Sequence, residues 1–149
     1  MDLKIDSKEL DKHLALMEKR NTDPRDFLKE TIVILAESTA NNFRAGGRPT
    51  KWKALTAGTL IVKRRHHADT GGNDILLWDG QLRTSVNIGG MDNIKEITKD
   101  YAEFGTNVKH APYVQYHKDG SDKRPFLLFQ QKDIDKIVAR AASHAFGDR

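Results

Sequence analysis

DPRDFLKETIVILAESTANNFRAGGRP, residues 23–49, carries both the start and the stop signal of one long helix. Asp23 supplies an acceptor for the first free backbone N–H groups, and Pro24 is pre-set for the first turn. Phe27, Leu28, Ile32, Leu35 and Phe43 then mark one broad apolar face, with Thr31, Ile34 and Ser38 beside it. A face that wide lets a sheet cover most of the helix, which makes this the central element. Gly46, Gly47 and Pro49 end it after about Phe43, because two permissive residues are followed by a ring that disfavours helix at the residue before it.

Working outward, Ser7 can cap a first helix over about residues 8–20, where Leu10, Leu14 and Met17 recur at spacings of four and three. Beyond the central helix, Asp79 can cap one helical turn over Gly80 to Thr84. Thr84 to Ile88 and Ile94 to Thr98 read as strands around a turn at Gly89 to Asn93, and Tyr101 to Gly105 reads as a third. Ala111 to His117 reads as a short helix and Arg124 to Phe129 as an extended segment. A last helix follows with the stripe Ile134, Ile137, Val138, Ala141 and Ala145, and Gly147 lies past its end. The expectation is α+β: a small antiparallel sheet packed against a long central helix and a C-terminal helix. With 149 residues and no internal repeat, one core over residues 1–149 is the economical reading.

The net charge of +4 is modest, but its distribution is uneven. Arg44, Arg48, Lys51, Lys53, Lys63, Arg64 and Arg65 face a single acid, Asp69, within one segment. Residues 44–74 therefore read as an irregular, flexible basic arm, and stretches of that length are commonly functional or disordered. The alternative is a surface insertion with a short helix around Ala57 to Lys63. Trp52 sits among the cations, so the arm is the best candidate for a polyanion: cations neutralise phosphates and an indole can stack on a base. The competing readings are a solvated charged face and a tryptophan that anchors the arm to the core.

Other chemistry is sparse. The chain has no cysteine, which excludes disulfides, thiolate metal sites and cysteine nucleophiles, and suits a reducing cytoplasm. No signal-peptide pattern opens it, and its longest apolar run, Ile32 to Ala36, falls far short of the ~20 residues of a membrane-spanning helix. Six histidines are present, but His66 and His67 diverge in a helix or a strand, and none of the six completes a zinc set, so no metal or cofactor is expected. The carboxylate pairs Asp133/Asp135 and Asp6/Glu9 lie at helix starts, where capping and the helix dipole explain them. Tyr113, Tyr116 and His117 form an aromatic cluster expected to pack in the core. No nucleophile, acid and base come together, so catalysis is not expected.

Several spaced pieces occur in a telling order: a long helix ending in Phe43, then Gly47, Pro49, Trp52 and Leu55, then a threonine-rich stretch running into Lys63. ILLWDGQLRTSV (75–86) follows, then YAEFGTNVKHAPYVQYHKDG (101–120) and RPFLLF (124–129) before the last helix. Taken together, over about two-thirds of the chain, this order resembles the phage virion-morphogenesis or tail-completion family typified by Mu-like phages. The resemblance implies a structural component made in the bacterial host cytoplasm and carried into the virion, at the tail or the head-tail junction. It implies a ring of identical subunits contacting other tail or connector proteins, possibly around DNA, with no membrane. Within the family pattern, Leu82 and Phe126 are expected as buried anchors. The rival reading is a nucleic-acid-binding module using the basic arm, and a hydrolytic enzyme is disfavoured.

Overall fold

The computed structural model describes residues 8–66, 74–117 and 123–147. Helix α1 spans Lys8–Thr22 and α2 Arg25–Ala45, followed by α3 (Ala57–His66) and α4 (Gln81–Ser85). Strands β1 (Asn93–Ile97) and β2 (Ala102–Thr106) form an antiparallel pair, then come α5 (Ala111–Tyr116) and α6 (Gln131–Phe146). The fold is α+β, with α2 in contact with both the sheet and α6.

The signals around α2 act one residue later than expected. Pro24 occupies the N-cap position and Asp23 accepts the Arg25 N–H at 3.3 Å, while also binding the Arg25 side chain. At the other end Gly46 adopts a left-handed conformation and returns its N–H to the last turn. Gly47 is also at positive φ, and a Cβ there would stand 2.6 Å from the Trp52 nitrogen, so only glycine lets the chain fold back this tightly.

The β region departs from expectation. Thr84 to Ile88 is not a strand, because α4 runs to Ser85 and the chain then turns, with Asn87 N–H on Thr84 O at 3.0 Å and Gly90 N–H on Asn87 O at 2.9 Å. Tertiary contacts decide the matter: Val86 is buried in the core and the Ser85 hydroxyl, also buried, pairs with Thr106 Oγ1 at 2.6 Å. The expected hairpin turn at Gly89 to Asn93 instead links α4 to β1, and a Cβ on Gly90 would meet Thr84 O at 2.0 Å. The hairpin that does form pairs Asn93 with Thr106 and Ile97 with Ala102, closed by Thr98 to Tyr101. The strands thus number two among the described residues, not three. Asp79 does cap α4, accepting the Gln81 N–H at 2.9 Å.

The core gathers Trp52, Leu82, Val86, Val108, Ala111 and Phe126, with Phe43, Phe104 and Val114 packed against it. Leu82 and Phe126 are thus buried as expected. The helical stripes are only half covered. On α6, Ile137, Ala141 and Ala145 are partly buried, but Ile134 and Val138 are exposed. On α1, Met17 is partly covered and Leu14 exposed. The expected Ser7 cap lies outside the described residues.

Candidate functional site

The expected irregular arm is largely ordered, and the short-helix alternative is the one observed. Residues 44 and 45 close α2, the 46–56 loop folds onto the core, and α3 occupies Ala57–His66; residues 67–73 are outside the described set. Trp52 orders the loop. Its indole is 6 % exposed, meets Phe43 edge-on with centroids 5.7 Å apart, and donates Nε1–H to Pro125 O at 3.2 Å.

Three of the eight candidate contact residues therefore have internal partners. Trp52 anchors the loop, as one of the competing readings held. Arg48 donates Nε–H to Asn42 Oδ1 at 2.8 Å and Nη2–H to the Ser38 carbonyl at 2.7 Å and hydroxyl at 2.9 Å. Lys63 is buried and donates to Asp74 O. Arg44, Lys51, Lys53, Arg64 and Arg65 remain exposed, although Arg44 also bonds Asn41 and Lys51 the Ala45 carbonyl. The cationic surface is thus narrower than the sequence suggests.

The Arg48 bonds belong to a buried polar network that pattern reading missed. The Ser38 hydroxyl donates to Asp133 Oδ2 at 2.5 Å, and the same oxygen accepts the Gln130 N–H at 3.0 Å. Burial works to raise the Asp133 pKa, but the Ser38 and Gln130 hydrogen bonds and the nearby Arg48 charge outweigh it and hold the carboxyl below its ordinary value. Asn42, fully buried, donates both amide protons to the Phe126 and Leu128 carbonyls at 2.8 and 2.7 Å. One network thus ties α2, the 46–52 loop, the 124–130 segment and α6 together. Its hydroxyl, on a residue 1 % exposed, is committed to a carboxylate and out of reach of a substrate.

The aromatic cluster is a second correction. Tyr113 and Tyr116 are 65 % and 71 % exposed rather than packed in the core. Helix α5 turns Ala111 and Val114 inward, so residues on its other side have nothing to pack on. Tyr113 instead meets the His117 ring edge-on at 4.4 Å. Beside α5 lies a small cavity of about 210 Å³ with a mostly apolar lining. Leu76, on its wall, adopts φ +62°, an uncommon conformation for a branched aliphatic residue.

Among the described residues no group of three or more His, Asp or Glu is placed to hold a metal ion, and no helix is long and apolar enough to cross a membrane. Comparison with protein-family models, with curated proteins and with solved structures finds no match.

Proposed function

We propose that this chain is a phage structural subunit that completes the tail or joins tail to head during virion assembly, working as a homo-oligomeric ring. The observation that carries the reading is the imbalance between core and surface. Seven apolar residues form the buried core, whereas fifteen large apolar side chains are exposed, among them Leu14, Leu16, Val33, Trp78, Met91, Ile134, Val138 and Phe146. Exposed apolar surface on this scale marks sites of association. The two-stranded sheet adds backbone edges with no further strand beside them among the described residues, and such edges pair readily with another chain. The ordered sequence pattern supplies the phage context: assembly in the host cytoplasm, then residence in the virion beside other tail or connector proteins.

Binding to purified tails tests the reading. The isolated chain should co-sediment with tails lacking their terminal subunit and not with complete tails. A chain that binds neither and never self-associates would remove the proposal.

A second reading, nucleic-acid binding, is favoured by the exposure of Arg44, Lys51, Lys53, Arg64 and Arg65 on one connected stretch. It calls for binding to DNA that weakens steeply with salt.

A further inference from the structure

The two ends of α2 carry complementary features. At its C-terminal end lies the 210 Å³ cavity, floored by Leu55, Leu77, Leu82 and Val114 and rimmed by His110 and Arg124. That volume is below the roughly 300–1,000 Å³ of a site that buries a small ligand, and suits an inserted side chain better. The rim is cationic and under-used. Arg124 spends Nη2 on the Lys53 carbonyl at a long 3.3 Å, and its Nε has no partner.

At the N-terminal end of α2 stands Phe146, the last residue of α6 and 70 % exposed. The antiparallel packing of α2 and α6 fixes this placement. Ser38 bonds Asp133 at the start of α6, whereas the Phe27 ring lies 6.0 Å from His144 at its end. From Phe27 to Phe43, beside the cavity end, the helix rises about 24 Å. Phe146 therefore cannot fill the cavity of its own chain.

We infer that Phe146 of one copy inserts into this cavity of the next, with Asp148, two residues further on, meeting the Arg124 guanidinium. The inference deepens the assembly reading and rests on it. A second copy is the fitting occupant because it brings an aromatic plug followed by a carboxylate to an apolar socket with a cationic rim. Plug and socket occupy opposite ends, so the contact is heterologous. Repeated from copy to copy, it closes into a ring or runs on as a filament. The phenyl ring costs little conformational entropy to order and buries a large area, which makes it a good anchor.

The test uses two variants of the full chain. Phe146→Ser removes the plug at an exposed position, and Thr59→Trp fills the socket from its exposed α3 wall. In sedimentation velocity each alone should weaken self-association at least tenfold, with an unchanged circular-dichroism melt. Mixed, they should give a one-to-one heterodimer and nothing larger, since only one plug and one socket remain. Met91→Ser, which alters a residue 80 % exposed elsewhere, should assemble like the parent. Asp148→Arg should weaken assembly alongside Phe146→Ser. If the parent assembles and Phe146→Ser assembles equally well, or if the mixture stays monomeric, the contact is wrong and the ring reading survives. If the parent itself never associates, alone or on tails, both fall together.

Discussion

Replacing Asn42 by alanine should be among the most damaging single changes in the chain, although the residue touches no surface. Its amide donates to the Phe126 and Leu128 carbonyls and accepts from Arg48 Nε, at 2.8, 2.7 and 2.8 Å, and its own exposure is 0 %. Each such bond is worth about 0.5–1.5 kcal/mol net, and each buried partner left without a bond costs about 1–3 kcal/mol more where water cannot reach it. With three partners stranded and a small cavity opened, the loss comes to about 3–5 kcal/mol, a large share of the ~5–15 kcal/mol that holds a typical domain together. Urea unfolding reads it: with a slope of about 2 kcal/mol per molar, the midpoint falls by roughly 1.5–2.5 M. Gln115 holds the same segment, accepting the Phe126 and Leu127 N–H groups and donating to Leu127 O. Asn42→Ala and Gln115→Ala should therefore be non-additive, with a coupling of about 0.5–3 kcal/mol. A loss below ~1 kcal/mol for Asn42→Ala would refute the reasoning, because the 124–130 segment would then be held by something else.

Leu82→Ala and Phe126→Ala should each cost ~2–5 kcal/mol in chemical denaturation, since both are nearly fully buried in one cluster. Gly47→Ala should lower the same midpoint, because its new Cβ would collide with the Trp52 backbone nitrogen and unseat the loop. Acid should destabilise the protein through Asp133, whose folded pKa lies below its unfolded value. Its contribution is complete above about pH 4 and is lost as pH falls through the lowered folded value. Asp23, held at about 2 chiefly by its hydrogen bond from Arg25, titrates in the same window, so Asp133→Asn should reduce the acid-side slope of stability without removing it. Arg64→Gln with Arg65→Gln should flatten the salt dependence of any DNA affinity, whereas Lys63→Gln should act on folding, its ammonium being buried on the Asp74 carbonyl.

The long helices were legible because their punctuation is local: Asp23 and Pro24 before α2, Gly46 and Gly47 after it. Leu82 and Phe126 were legible as apolar anchors. The β region was not. Thr84, Val86 and Ile88 alternate as a strand would, yet burial of Val86 and the Ser85 to Thr106 bond hold the chain in a helical turn. Tyr113 and Tyr116 look like core residues, but only the Ala111 and Val114 side of α5 has a surface to meet. The polar network was out of sight for a different reason. Ser38 and Asp133 are 95 residues apart, and Asn42 and Phe126 are 84 apart. Serine, asparagine and arginine near a helix end read as solvated groups until the fold brings their partners. The same blindness made Arg48 and Lys63 look like free surface charges.

Self-association is the claim on which the account turns, and mass measured by light scattering as concentration rises tests it most directly, followed by electron microscopy of the largest species. The account predicts growth from monomer to one discrete, closed ring, reached either in solution or once purified tails supply a template. A mass that stays at 16.9 kDa at every concentration, with no association on tails, would contradict it.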